Sequence, residues 1–381
     1  MNDRSLKGLF SEITTIPPVL QNSYYPSLDG LRGIAIILVV VFHLHLSWNP
    51  LYNTIFNGSL GVLIFFVLSG FLITTLCIKE KVITKDISLK NFYLRRLLRI
   101  FPVAYLYIIV IIILNYIFNL KINYINIIGT ALYLMNFSSY FRKYNHSYLT
   151  GHFWSLSVEE QFYLFFPFIL KKKFKIYLVL ILTIVFVVPF IICLQYFYIR
   201  LNNNVLYALA HYLIKFQAIG VGCLFSVLTF KYSFNKKIHI KTKVITNILA
   251  IFLILFIRYD DFFDLQNMLG GVASSFLIGY IIITNIAPAK DFIFKLLNAK
   301  ILKLVGVLSY SIYIWQEIFT SGDKRLPSFM VTFPYNIICI IIVSSCSYYF
   351  YERSFLKLKS KFSKVKTKQI LLTEQSIGPA L

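Results

Sequence analysis

The chain has 381 residues, of which 58% are hydrophobic and 18% aromatic, and its mean hydropathy is +0.72. A soluble domain of this size could not bury so much apolar surface, so the composition predicts an integral membrane protein. The net charge is +23, but the lysines and arginines cluster in short segments between apolar runs. This distribution follows the positive-inside rule, and we expect no nucleic-acid partner.

Eleven apolar runs follow one another and define the predicted helices. They are residues 33–48, 59–78, 100–118, 127–139, 153–170, 174–199, 212–230, 244–258, 267–287, 304–320 and 331–351. A membrane span needs about 20 apolar residues, so the short run 127–139 is predicted to be re-entrant or interfacial. The predicted fold class is an all-α polytopic bundle of about ten transmembrane helices, with both termini cytoplasmic.

Basic residues orient these spans. Segment 79–99 holds seven Lys or Arg, and segment 288–303 holds four Lys, so both are predicted to be cytoplasmic. The acidic segment 259–266 is predicted to lie outside and contains Asp260, Asp261 and Asp264. The predicted parts are a cytoplasmic N-terminal tail (1–30), a transmembrane domain (31–352) and a basic cytoplasmic C-terminal tail (353–381).

The first predicted span carries Arg32 and His43 at the two ends of an uncharged apolar stretch. Eleven helical positions turn through about 1100°, so the two side chains face within about 20° of each other, roughly 16 Å apart along the axis. An ionisable group in a membrane helix is costly and indicates a functional site by default. The alternative is an interfacial arginine and a hydrogen-bonded histidine. Asp29 either braces Arg32 or caps the helix.

Three arginines stand at the cytoplasmic start of the third predicted span. Arg96 and Arg99 are three residues apart and share a helical face, and Arg95 is their neighbour. Arginine binds phosphate oxygens with two parallel hydrogen bonds, which lysine cannot reproduce. The cluster therefore predicts a phosphate-binding site, and the alternative is the positive-inside rule alone.

The run from residue 153 carries two adjacent glutamates, Glu159 and Glu160. Glu159 shares a helical face with His152 and Ser155, and its depth is similar to that of His43. We therefore predict that Glu159 orients the His43 imidazole, whereas a buried pair satisfied by hydroxyls is the alternative. The residues predicted to line the substrate side are His152, Trp154, Ser155 and Glu160.

The sequence contains no pattern typical of a metal site. The five cysteines lie in apolar segments without a Cys-x-x-Cys pair, and the six histidines have no metal-ligand spacing. We therefore expect no metal cofactor.

Six blocks in order resemble the membrane-bound acyltransferase 3 family, the O-acyltransferases of bacterial surface sugars. The blocks are Tyr25–His43 with its Arg-x10-His motif, Gly61–Thr74, Arg96-x-x-Arg99, Phe153–Leu164, Leu308–Gln316 and Tyr348–Phe355. Two positions depart from the family pattern. Gln316 stands where the family often has His, and Ser354 where it often has Pro.

The resemblance implies transfer of an acyl group, usually acetyl, from cytoplasmic acetyl-CoA to a hydroxyl of an exported glycan or lipid-linked saccharide. It implies that the phosphates of CoA bind Arg95, Arg96, Arg99 and Arg32. His43 would be the base or an acyl carrier, because the unperturbed pKa of histidine is near 6.5. The supporting catalytic residues would be Glu159, Arg32 and Asp29.

The implied location is the bacterial cytoplasmic membrane, and a homodimer is compatible with this interpretation. A polytopic transporter or flippase of lipid-linked sugars is the main alternative, since it would also carry charges within the membrane. A catalytically inactive membrane interaction protein is a third hypothesis.

Overall fold

The computed structural model describes residues 6–22, 24–137, 148–197, 205–232, 239–259 and 269–362. The regular secondary structure of these residues is helical, which confirms the predicted all-α class. The predicted outer aspartates of segment 259–266 and the end of the C-terminal tail lie outside the described residues.

Six helices in the described part of the chain are long and apolar enough to cross a membrane. They are Pro26–His43, Pro50–Thr84, Leu89–Phe118, Phe174–Leu194, Ala208–Lys231 and Ile240–Arg258. The count of about ten spans and the cytoplasmic termini stay predictions.

The helices of the first half contain most of the predicted site residues. They are α1 (Leu6–Phe10), α2 (Pro18–Gln21), α3 (Pro26–His43), α4 (Pro50–Ile55), α5 (Gly58–Thr84), α6 (Leu89–Phe118), α7 (Tyr124–Ala131), α8 (Tyr148–Gly151) and α9 (Phe153–Lys172). Two local signals start the long helices. Proline at the first position of α3 has the backbone angle that a helix needs, and the Asn57 side chain accepts from the Leu60 N–H at 2.9 Å to cap α5.

The second half completes the bundle. Its helices are α10 (Phe174–Leu182), a π-helical turn (Thr183–Val187), α11 (Val188–Phe197), α12 (Val205–Leu213), a 3-10 turn (Ile214–Phe216), α13 (Gln217–Lys231), α14 (Ile240–Tyr259), α15 (Gly271–Asn285), α16 (Phe292–Leu297), α17 (Lys300–Thr320), α18 (Ser328–Val331), α19 (Tyr335–Cys346), a second π-helical turn (Ser347–Glu352) and α20 (Arg353–Ser360).

The described part of the predicted N-terminal tail is packed on the bundle. Leu20 of α2 is fully buried, and the Lys79 ammonium donates to the Asn22 carbonyl at 2.6 Å and to the Tyr25 hydroxyl at 2.9 Å. The first long helix starts five residues before the boundary predicted at residue 31. Helix α3 begins at Pro26 because proline and the residues after it favour a first helical turn.

The basic segment 79–99 is mostly helix rather than loop. Helix α5 continues to Thr84 and α6 begins at Leu89, so only four residues connect them. The predicted arginines consequently lie on α6, about two turns from its start. In the described part of segment 127–139, α7 ends at Ala131 and has eight residues in all, far fewer than the 20 or so of a span. The re-entrant or interfacial placement of this segment stays a prediction.

Glycines allow α3 and α17 to approach each other very closely. A Cβ atom added at Gly306 of α17 would lie 1.8 Å from the Asp29 carbonyl oxygen, and one added at Gly33 of α3 would lie 2.3 Å from the Leu302 carbonyl oxygen of α17. Small residues at such contacts let membrane helices pack backbone against backbone. This contact fixes the position of the helix that carries Arg32 and His43.

We expect Gly306→Ala to destabilise the protein, because the added methyl group must push α3 and α17 apart. Overpacking of this kind costs about 1–3 kcal/mol or more. Thermal unfolding in detergent micelles measures the effect. Gly271→Ala is the matched control, since a Cβ there meets nothing within 4 Å, and equal unfolding temperatures for both variants would contradict the close contact.

Candidate active site

A cavity lies between α3, α5, α6, α9 and α17. Its charged lining consists of Arg32 from α3, Arg96 and Arg99 from α6, and Glu159 from α9. The structure therefore brings together residues that lie 127 positions apart in the chain. Three guanidinium groups around one carboxylate make the cavity attractive to an anion.

Arg96 and Arg99 face the cavity with free hydrogen-bonding capacity. The Arg96 guanidinium stacks over the Tyr163 ring, 4.3 Å from its centroid, which leaves its N–H edge open. Neither guanidinium has a hydrogen-bonded acceptor or an ion-pair partner among the residues that the structure describes. The two side chains share one face, as their spacing predicted.

Arg32 is held in place by Asp29. The Arg32 Nη1 atom donates to Asp29 Oδ1 at 3.0 Å, one turn earlier on α3. Tyr25 occupies the N-cap position of this helix, so of the two predicted roles Asp29 has the bracing one. The ion pair points the Arg32 side chain toward the cavity.

Arg95 has a different environment from its two neighbours. Its Nη2 atom donates to Glu80 Oε2 at 2.9 Å and its Nη1 atom donates to the Phe362 carbonyl at 2.8 Å. Arg95 is not part of the cavity lining. The predicted grouping of Arg95 with the phosphate-binding arginines is therefore wrong in its geometry, because α6 turns this side chain toward α5 and the segment after α20.

Glu159 and Ser155 point into the cavity, as their shared helical face predicted. Glu159 accepts a hydrogen bond from the Ser69 hydroxyl at 2.8 Å, and the three cavity arginines act on its carboxylate electrostatically. The Ser155 hydroxyl pairs with the Tyr313 hydroxyl at 2.6 Å. No described contact joins Glu159 to His43, so the structure does not bring the predicted pair together.

Trp154 and Glu160 lie outside the cavity lining. Trp154 is 38% exposed, and its ring stands edge-on to Phe66 at 5.9 Å. The Glu160 Oε1 atom is buried without a hydrogen-bond partner in the described part of the chain. The one-residue step between Glu159 and Glu160 turns the second carboxylate away by about 100°.

His43 is the last residue of α3. The apolar run 33–48 predicted five more helical residues after His43, but the helix ends there because the chain turns at once and His45 adopts a positive φ of 47°. The His43 Nδ1 atom lies 2.8 Å from the Val39 carbonyl oxygen. A carbonyl only accepts, so Nδ1 carries the proton and Nε2 is left as the basic nitrogen.

His152 is buried next to a carboxylate that the sequence interpretation missed. Its Nδ1 atom lies 4.0 Å from Glu317 Oε2, and His43 acts on it electrostatically. The rings of Tyr107 and Tyr313 stand edge-on to the imidazole at 5.3 and 5.6 Å. Glu317 is the single acidic residue in the apolar run 304–320, and this signal could have found it.

Lys359 of α20 is a second residue that sequence interpretation missed. Its ammonium group lies within electrostatic range of Arg99, Arg96 and Arg32. Its place in a basic tail gave no signal beyond the positive-inside rule.

The described residues contain no group of three or more His, Cys, Asp or Glu side chains arranged for a metal ion.

Comparison with known proteins identifies the family of the chain. The family model described as "Acyltransferase domain" matches residues 25–352, and the chain belongs to this family. The chain is 31% identical to the peptidoglycan O-acetyltransferase OatA of Listeria monocytogenes over 315 residues. This alignment covers 77% of this chain and 49% of the relative. The chain is also 31% identical to the O-acetyltransferase OatA of Staphylococcus aureus over 310 residues. This alignment covers 77% of this chain and 50% of the relative.

The chain spans about half the length of the curated relatives that it matches. No solved structure matches it significantly.

We expect Arg95→Gln to lower stability without weakening the binding of acetyl-CoA, the donor that the resemblance implies. The substitution leaves the buried Glu80 carboxylate without its counter-charge, and breaking such a pair costs about 3–5 kcal/mol. Thermal unfolding and donor titration measure the two effects. The double variant Arg95→Met, Glu80→Leu should recover stability. A stable Arg95→Gln protein that no longer binds donor would instead make Arg95 a phosphate ligand.

Proposed function

We propose that this protein is a membrane O-acyltransferase that moves an acetyl group from cytoplasmic acetyl-CoA to a hydroxyl of a cell-wall glycan. The observation that carries the proposal is the cavity lined by Arg32, Arg96 and Arg99 in a chain of an acyltransferase family. The name of the Listeria relative favours peptidoglycan as the acceptor. The proposal places the protein in the bacterial cytoplasmic membrane, as a monomer or a homodimer.

The arginines suit the phosphates of CoA. Arg96 and Arg99 offer N–H groups that no described residue accepts, and a phosphate can accept two from each guanidinium. Arg32, braced by Asp29, adds a third donor at the cavity wall. Glu159 limits the repulsion among the three cations, so we assign it a charge-balancing role in catalysis rather than direct contact with His43.

The reaction uses the free nitrogen of His43. The pantetheine arm reaches along α3 from the arginines toward His43, about 16 Å for eleven helical residues. His43 Nε2 takes the proton of the acceptor hydroxyl while the hydroxyl oxygen attacks the carbonyl carbon of the thioester. The C–S bond breaks as the ester C–O bond forms, and the proton passes from His43 to the thiolate. An acyl-histidine would use the same nitrogen as nucleophile.

The acceptor approaches from the opposite end of α3. Ser155 offers a hydroxyl in the cavity. His152 precedes α9 as its N-cap residue, and Trp154 lies in the first turn of α9. We propose that these residues, with Glu160 at the edge, form the acceptor side of the site.

Changing both Arg96 and Arg99 to lysine should weaken acetyl-CoA binding about tenfold or more. Lysine keeps the charge but loses the paired N–H groups that bind phosphate, and a tenfold change corresponds to about 1.4 kcal/mol. Calorimetric titration of the protein in lipid nanodiscs measures the affinity. Arg325→Lys is the control, because Arg325 pairs with Asp323 outside the cavity. Unchanged affinity in the double variant would show that positive charge alone suffices.

The decisive test of the function is acetyl transfer by the purified protein. With acetyl-CoA and a peptidoglycan oligosaccharide, the wild type should release CoA and form an O-acetyl ester. His43→Ala should lower turnover about 10²–10⁴-fold, the usual contribution of a general base, while donor binding persists. His45→Ala is the matched control, since His45 is exposed and stacks on Trp48. Transfer by His43→Ala at wild-type rate would refute the role of His43.

A further inference from the structure

His152 forms a buried polar pair with Glu317, a residue to which the proposed reaction gives no role. The two residues are 5% and 9% exposed, and 4.0 Å separates His152 Nδ1 from Glu317 Oε2. Neither ring nitrogen of His152 has a hydrogen bond of normal geometry among the described residues, and the ring faces the backbone of Ile314. The amide oxygen of Gln316, the residue before Glu317, is also buried and has no hydrogen-bond partner among the described residues.

Such an arrangement is costly. A buried polar group without a hydrogen bond costs about 1–3 kcal/mol, and the cost is higher for groups that can carry charge. Packing nevertheless fixes the ring, because the Tyr313 hydroxyl donates to the His152 carbonyl at 2.8 Å and Tyr107 covers one edge. An ionisable pair kept in a membrane helix bundle at this cost indicates a function.

The pair lies near the proposed base, because Gly33 of α3 meets Gly306 of α17 in helices that run in the same direction. His43 and Glu317 follow these two glycines by ten and eleven residues, respectively. His43 from α3 acts on His152 electrostatically, and Glu317 from α17 lies on the Nδ1 side of His152. The other titratable groups that face the pair are Tyr107 from α6 and Tyr313 from α17. His152 therefore lies within electrostatic range of a carboxyl group on α17 and of an imidazole on α3.

We propose that Glu317, acting through His152, is a positioning residue for His43. The Glu317 carboxyl group orients His152 from its Nδ1 side, and the ionisation of this group when His43 gains a proton offsets the positive charge on His43. During transfer the hydroxyl O–H bond breaks, the proton resides on His43 Nε2, and it then passes to the departing thiolate. Glu317 and His152 exchange no proton with the substrates. This inference rests on the proposed function.

The primary variant is Glu317→Gln, which keeps size and removes the charge. We expect kcat to fall about 10- to 100-fold, the scale of losing one charge several ångströms away at an effective dielectric constant near 20. The KM for acetyl-CoA should change less than about twofold, because Glu317 is not among the residues that line the cavity. The acid limb of the pH–rate profile should move to lower pH, since a protonated imidazole is less favoured without the carboxylate.

Two further variants separate positioning from folding. Glu317→Asp should recover part of kcat, because the charge returns on a shorter side chain. Thr320→Val is the control on the next turn of α17, where the hydroxyl bonds only to the Gln316 carbonyl. In a double-mutant cycle, Glu317→Gln should add little to the defect of His152→Gln, because one residue acts through the other.

Several results would overturn the inference. They are an unchanged kcat in Glu317→Gln, an unmoved pH profile, or independent effects of the two substitutions in the cycle. Loss of stability in both Glu317→Gln and Glu317→Asp without the pH shift would make the pair structural. Absence of acetyl transfer by the wild type would overturn the proposed function as well, so the two failures are distinguishable.

Discussion

The close contact between α3 and α17 is the constraint on which both ends of the site depend. Because Gly306 admits the Asp29 carbonyl, the two helices run together without intervening side chains. Toward one end this contact sets Arg32 against the arginines of α6. Toward the other it places His43 and Glu317 on neighbouring helices, and His152 lies within electrostatic range of both. A larger separation would widen both regions at once.

Neighbouring arginines on α6 show how the bundle handles charge in a low-dielectric interior. Arg95 is neutralised by Glu80 and holds the Phe362 carbonyl, which joins three parts of the chain. Arg96 and Arg99, one position and one turn farther on, have no ion-pair partner in the described structure and face a cavity. A buried cation without a partner is expensive unless a ligand completes it. The difference separates an arginine with a structural ion pair from two arginines whose N–H groups are open to a ligand.

Helical periodicity alone predicted which residues share a face. It placed Arg96 with Arg99 and Ser155 with Glu159, and the structure agrees. Contacts between helices could not be predicted in this way, because two residues at similar depth in the membrane need not lie on neighbouring helices. Glu159 was therefore assigned to His43, although it lies among arginines. Glu317 was missed for the same reason, since only the packing of α17 on α9 reveals its neighbour His152.

The separation of the arginines from His43 along α3 has an electrical consequence for the proposed reaction. The charged phosphates remain at one end of the helix, and only a neutral acetyl group on an uncharged arm reaches the other end. The hydroxyl proton leaves on the sulfur, so the donor withdraws as a neutral thiol. Moving one charge across the bilayer involves about 2.3 kcal/mol per 100 mV. A transfer that moves no net charge is therefore independent of the membrane potential.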